Sequence, residues 1–268
     1  MSLERSAGTR LNAAVGVLGR ARIGWLPALP AAAQAWVWRG AVALFVVAVL
    51  TLPVAWSVRF SAQSGAWWER GFDVYNVERR TGLPRAEVDR AGTELRRYFV
   101  SDERIVAITV TNAAGGEEAL FTGREVQHLV DVKRLLARTY DAGWAAIGFI
   151  VAFVVAVLLW RRRTAAALLA RASRIAGAVV AVVIVVLGIT AITGFDGAFR
   201  QFHLLFFTND LWQLSSRDRL IQMFPQGFFF DTTMLIGATT VAFAAILAGV
   251  GWWYGRRHQA VPSEGANR

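Results

Sequence analysis

The sequence predicts an all-α polytopic membrane protein. Four transmembrane helices carry a small extracytoplasmic α+β domain, an amphipathic helix plus a β-hairpin, with an interfacial helix between spans 3 and 4. Three observations lead there. The 268 residues are 55% hydrophobic and 18% charged, at a mean hydropathy of +0.41, so apolar content must gather in blocks instead of spreading over one soluble core. Four such blocks exist, Gly40 to Val58, Ala142 to Trp160, Ile175 to Phe195 and Thr232 to Tyr254, each at least 18 residues without a charge. A helix of about 20 apolar residues crosses a bilayer.

The third observation is where the charge lies. The chain carries +10, which could suit a nucleic-acid binder. With the N-terminus placed in the cytoplasm, segments 1–39, 161–174 and 255–268 together hold +11, and segments 59–141 and 196–231 together hold −1. The whole excess then falls on the cytoplasmic side, as the positive-inside rule requires, and the reading as a nucleic-acid partner falls away. The expected division is a cytoplasmic extension (1–35), span 1 (36–58), an extracytoplasmic domain (59–141), span 2 (142–160), a cytoplasmic loop (161–174), span 3 (175–195), an outer interfacial segment (196–231), span 4 (232–254) and a cytoplasmic tail (255–268). A multi-pass membrane location follows, with both termini in the cytoplasm.

No cleavable signal peptide is evident, because the first apolar block is long enough to span and lacks a small-residue cleavage site after it. Zero cysteines exclude disulfides, an acyl-cysteine mechanism on this chain, and its being a lipoprotein itself. Residues 1–35, rich in Ala, Gly and Arg, show no apolar period and receive no function.

Along the chain, Pro53 should bend span 1 near its outer end. Arg59 marks the exit, and Trp67 and Trp68 suit the interface. From Pro84 the spacing of Val88, Ala91, Leu95, Tyr98 and Phe99 predicts an amphipathic helix that lies on the membrane or covers something. "RIVAITV" (Arg104 to Val110), the turn glycines of "AAGGEE" and the piece Ala119 to Phe121 predict a hairpin. "FTGREVQHLVDVK" (Phe121 to Lys133) then starts a helix at a fixed point: Thr122 and Glu125 have capping-box spacing, and Phe121 and Val126 that of a hydrophobic staple. Residues three and four apart share a face, so Arg124, His128, Asp131 and Arg138 line one side, with Glu125 beside them. The helix continues through Asp141 into span 2. In segment 196–231, Phe199, Phe202, His203 and Phe206 predict a short interfacial helix, with Trp212 at headgroup level.

Three histidines occur. His258 falls in the cytoplasmic tail, where a solvated ring needs no function. Taken singly, His128 reads as a solvated residue paired with Asp131, and His203 as a ring satisfied within an aromatic patch. Taken together, they are two imidazoles from distant segments meeting the same membrane surface. Asp131 could orient His128 by accepting its ring proton or be an ordinary surface carboxylate; Glu125 is already explained by its cap. Arg124, Lys133 and Arg200 read as headgroup-facing charges, with anionic lipid as a plausible ligand. No zinc spacing such as H-E-x-x-H and no G-x-S-x-G elbow is present, so neither a metal nor a cofactor is expected.

The combination of "FTGREVQHLVDVK" at the head of span 2, "FHLLFFTNDLW" (Phe202 to Trp212) after span 3 and "RLIQMFP" (Arg219 to Pro225) before span 4 resembles the bacterial integral-membrane family of the lipoprotein intramolecular transacylase, Lit. The resemblance runs from about Trp36 to Trp253, includes "YNVERRTGL" (Tyr75 to Leu83), and leaves out the Arg-rich extension. It implies a membrane acyltransferase that passes the sn-2 acyl chain of a lipoprotein's diacylglyceryl-cysteine to the cysteine α-amino group, giving a lyso-form lipoprotein. The family's essential histidine pair maps onto His128 and His203, and the implied supporting residues are Asp131, Glu125, Arg124, Lys133 and Trp212. The implied partners are a diacylated lipoprotein and membrane lipids. Two alternatives stay open: a non-catalytic membrane protein whose outer domain binds a partner or lipid, and a family member acting on another lipid ester. A transporter fits poorly, because the four blocks hold no charge and no inverted repeat is visible.

Overall fold

A computed structural model of the protein describes residues 30–162 and 164–259. Most of the expected extension 1–35, the tail beyond residue 259 and the side chain of His258 lie outside the described residues. The chain divides into a unit ending at Ala41 and a second unit, Val42–Arg268. The first contributes the opening turns of α1 (Ala31–Gln63), and the second carries the rest of that helix and every later element.

Among the described residues four helices are long and apolar enough to cross a membrane: α1, α5 (Gly123–Trp160), α6 (Ala165–Thr193) and α9 (Gln226–Gln259). The protein is multi-pass. Helix α1 runs unbroken past Pro53. Helix α5 has 38 residues, roughly 57 Å at 1.5 Å per residue, against a hydrocarbon core of about 30 Å. Its uncharged block 142–160 is by itself long enough to span, so α5 is longer than one crossing needs.

Large apolar side chains such as Val182, Leu187, Ile192 and Ile246 remain exposed along the spans, as suits surfaces that face lipid. Between the spans, small residues set the spacing. A Cβ on Gly177 of α6 would stand 2.6 Å from the Ala244 carbonyl oxygen of α9, so only glycine permits that approach. Ser57 and Thr239 join α1 to α9 through a 2.7 Å hydroxyl–hydroxyl hydrogen bond.

At one end of the bundle sits a small head. It contains α2 (Gly65–Val74), α3 (Val77–Thr81), α4 (Arg85–Tyr98), a hairpin of β1 (Thr109–Thr111) and β2 (Glu117–Ala119), and α8 (Arg219–Met223). The expected amphipathic helix is α4, and its apolar side is buried in the head: Val88, Ala91, Leu95 and Tyr98 pack with Trp68, Phe72, Met223, Phe224 and Phe228. It covers a core instead of lying on lipid. Trp68, read from sequence as an interfacial ring, also belongs to this core; it is 4% exposed and its Nε1 donates to the Ser61 carbonyl at 2.7 Å.

The hairpin is shorter than "RIVAITV" suggests. Val110 pairs with Glu118, while Val106 and Ile108 turn into the core before the ladder begins. Ile108 keeps one cross-strand bond, its carbonyl accepting from Leu120 N at 2.8 Å. The short helix expected between spans 3 and 4 is α7 (Phe195–Phe206); beyond it the chain runs irregularly to α8, whose "RLIQMFP" buries Met223 and Phe224 in the head.

Candidate functional site

The capping box fixes the start of α5. Thr122 is the N-cap, its hydroxyl accepts from Glu125 N, and Glu125 Oε2 accepts from Thr122 N at 2.7 Å. Glu125 does more than its spacing foretold. It is fully buried, and its other oxygen, Oε1, accepts from Leu220 N at 2.7 Å. One carboxylate thus ties the head of α5 to α8. Arg219 beside it reaches Glu118 of β2 at 2.8 Å and the Thr81 carbonyl, which joins α8 to the hairpin and α3.

One turn after Glu125, His128 points inward and is 6% exposed; on α7, His203 is 7% exposed. The two ring centroids lie 6.0 Å apart, inclined by 34°. Both rings share one wall, Phe207, at 5.1 Å from His128 and 5.4 Å from His203. Trp212 lies 4.9 Å from His203, and Phe199 and Phe202 complete that ring's surroundings at 4.3 and 5.4 Å.

The protonation state of His203 follows from its partner. Its Nδ1 lies 2.8 Å from the Phe199 carbonyl, and a carbonyl oxygen can only accept. Nδ1 therefore carries the proton, and in the neutral ring Nε2 keeps the lone pair. Desolvation pushes the His203 pKa down from its usual value, with the Phe199 hydrogen bond pulling the other way. His128, placed on the stretch of α5 that precedes the membrane crossing, is pushed down to about 4, first by burial and then by its neighbour His203, against the pull of Asp131. Both rings are neutral at pH 7. The Nδ1 of His128 is buried without a hydrogen-bond partner, an arrangement rare among buried polar groups.

Asp131 does not accept the His128 ring proton. Its Oδ2 accepts from Asn209 Nδ2 at 2.8 Å and its Oδ1 pairs with Arg134 at 3.1 Å. Arg124 donates to the Asp210 carbonyl. These two residues therefore hold the 207–212 stretch against α5, which keeps Phe207 and Trp212 beside the imidazoles. Lys133 is turned away from the histidines. It bonds the Glu103 carbonyl at 2.6 Å and stands over the Tyr98 ring at 4.2 Å, tethering the head instead of facing headgroups. Arg138 stays exposed. The sequence reading missed Phe207 and Asn209; both lie past the end of α7, where helical periodicity carries no information. Among the described residues no cluster of three His, Asp or Glu could hold a metal ion.

A sequence profile described as lipoprotein intramolecular transacylase Lit matches residues 42–229. An uncharacterized protein of Aquifex aeolicus (strain VF5) is 25% identical over 179 residues, covering 65% of this chain and 76% of that protein. The in meso structure of the membrane-integral lipoprotein intramolecular transacylase Lit from Bacillus cereus shares the fold, with a TM-score of 0.67 at 16% identity, over 85% of this chain and 100% of that one. A variant of the Bacillus cereus protein with a histidine replaced by alanine aligns with a TM-score of 0.65, also at 16% identity, over 85% of this chain and 98% of its own. The profile takes in the head, the full approach to span 2 and the segment bearing His203, well over half of the sequence; the chain belongs to the lipoprotein intramolecular transacylase (Lit) family.

Proposed function

We propose that this protein moves the sn-2 acyl chain of a lipoprotein's diacylglyceryl-cysteine onto the cysteine α-amino group, with His128 and His203 managing the protons. The carrying observation is the pair itself: two neutral, buried imidazoles from distant parts of the chain, 6.0 Å apart beneath one phenyl wall. In the reaction the neutral amine attacks the ester carbonyl, the new N–C bond forms, and a tetrahedral oxyanion results. His203 Nε2, held in the accepting tautomer by Phe199, takes the proton shed by the amine nitrogen. As the sn-2 C–O bond breaks, the same proton passes to the departing glyceryl oxygen, and no net proton is gained or lost. The His128 N–H steadies the oxyanion.

An amine of pKa about 7.7 to 8.0 and an imidazole below about 6.5 are suited to this exchange near neutral pH. Both reacting groups belong to one substrate, so holding them together can supply about 7 to 11 kcal/mol of the barrier. Arg124, Glu125, Asp131 and Trp212 act in this reading by positioning, and Lys133 by anchoring the head. Charge supports the placement: with +11 on the segments assigned to the cytoplasm, segments 59–141 and 196–231, and with them the head and the histidines, stand at the extracytoplasmic face, with both termini inside.

The test is expression beside a reporter lipoprotein in a host lacking other N-acylation, with mass spectrometry of the reporter's N-terminal lipopeptide. The expected product is the lyso-form, N-acylated with one glyceryl ester remaining. A diacylglyceryl reporter with a free amine, at good expression of the membrane protein, refutes the reading.

A further inference from the structure

Between α7 and α8 the chain crosses the histidine pair as a strap. Residues 207–218 form neither helix nor strand. Phe207 closes α7, its N–H donating to the His203 carbonyl at 2.9 Å, and Asp218 is the residue before α8. Between these ends the strap lays Trp212 at 4.9 Å from the His203 ring, the two planes inclined by 31°. Under Phe207 and Trp212 the imidazoles are buried. A proton passes only over hydrogen-bond distance, about 2.6 to 3.2 Å, so a reacting ester and amine must enter the space that the strap closes.

Two clasps hold the strap down, and both lie on α5. Asn209 Nδ2 donates to Asp131 Oδ2 at 2.8 Å, and Arg124 donates to the Asp210 carbonyl. Arg124 stands four residues before His128 and Asp131 three after it, so the clasps bracket the ring on one helix face. Among the described residues these are the two hydrogen bonds that join 208–214 to another element. The other bonds of the strap are internal: Asn209 Oδ1 accepts from Leu211 N at 3.0 Å, and Asp210 accepts from Gln213 through its carbonyl at 3.1 Å and its carboxylate at 2.9 Å. They keep the strap's shape when the clasps part. None of 208–214 is buried, whereas Met223, at the end of α8, is fully buried. A segment with little buried surface and half-exposed hydrogen bonds opens at far lower cost than the core beside it.

We propose that residues 208–214 are a gate over the histidine pair. The strap lifts on hinges at Phe207 and at the 215–218 turn, releases Asn209 from Asp131 and Asp210 from Arg124, and admits the lipid-borne substrate to the rings. It closes again to keep water out during the transfer. The opening is a property of the fold; its service to catalysis rests on the acyl-transfer reading.

The cysteine-free chain permits a test that needs no substrate. His128→Cys puts one thiol under the strap. The references are Ala114→Cys, in the exposed hairpin turn, and Ala91→Cys, in the head core. Each full-length protein in detergent is treated with N-ethylmaleimide, which is small and soluble in water and lipid alike, and adduct formation is followed by intact mass spectrometry. With each clasp contributing about tenfold, the His128→Cys thiol should react roughly a hundredfold more slowly than that of Ala114→Cys. Adding Asn209→Ala should speed it about tenfold and leave both references unchanged. Equal rates with and without the Asn209 clasp overturn the gate, as does a His128→Cys thiol as reactive as that of Ala114→Cys. A matching acceleration of Ala91→Cys would mean general loosening and overturns it too. If Asn209→Ala does not fold, Arg124→Gln parts the other clasp and carries the same comparison. Because the readout is thiol access, the gate and the proposed reaction can fail separately.

Discussion

His128 illustrates what a single residue can and cannot declare. The capping box fixed its height on α5, and helical spacing fixed its side, so its position was legible from Thr122 onward. Its burial was not, because the wall that covers it, Phe207, comes from a stretch without periodicity 79 residues later. For the same reason Asp131 looked like a natural partner for the ring, when Asn209 and Arg134 had claimed both of its oxygens. Burial has a pH consequence. The folded-state pKa of His128 is about 4, below the roughly 6.5 of an unfolded chain. Between these values the unfolded state binds the extra proton, so stability falls as pH drops from about 6.5 towards 4. Replacing the ring by an uncharged amide, His128→Gln, should flatten that fall; thermal denaturation of the detergent-solubilised protein from pH 8 to 4 reads it. Parallel curves for both proteins would mean that His128 ionises freely in the folded state.

Among the elements, α5 and α8 are joined through one carboxylate. The sequence made the capping box at Thr122 and Glu125 plain, since both partners are local. The bond from Leu220 N to Glu125 crosses 95 residues and leaves no mark in either segment. Glu125→Ala removes the cap and strands a buried N–H, which should cost about 2 to 4 kcal/mol, measured as a lowered denaturation midpoint. A change below about 0.5 kcal/mol would show that the α5–α8 joint carries no weight. The stretch after α7 hangs on Asn209. Asn209→Ala should slow acyl transfer by roughly five- to tenfold and leave the pH profile in place, as expected of a residue that positions others. Asn209→Asp, which sets a carboxylate against Asp131, should be slower still; a faster Asp variant would contradict this latch. The head shows the same divide between local and distant signals. Helix α4 was legible from its apolar spacing, yet the β-branched run after it overstated the hairpin: Val106 and Ile108 lie in the core outside the two-strand ladder.

At the scale of the whole molecule, hydropathy alone located the four membrane-crossing helices, because a bilayer imposes length and apolarity on each span independently of its neighbours. Orientation rests on charge. The cysteine-free chain is a clean background for testing it: Ala114→Cys, in the hairpin turn, should react with an impermeant maleimide added outside intact cells, and Arg162→Cys, at the opposite end of the bundle, only after the membrane is broken. The reverse pattern would place the head in the cytoplasm. What hydropathy could not supply was the meeting of α5 and α7, where Asp131 holds Asn209 and Arg124 holds the Asp210 carbonyl. The measurement that bears most directly on the histidine pair is the rate of O-to-N acyl transfer in a synthetic diacylglyceryl-cysteine peptide by purified wild type, His128→Ala, His203→Ala and the double variant. If the two imidazoles act as a unit, each single change lowers the rate by about 10²- to 10⁴-fold and the double is hardly slower than the worse single. A folded single variant that transfers acyl chains at the wild-type rate would contradict it.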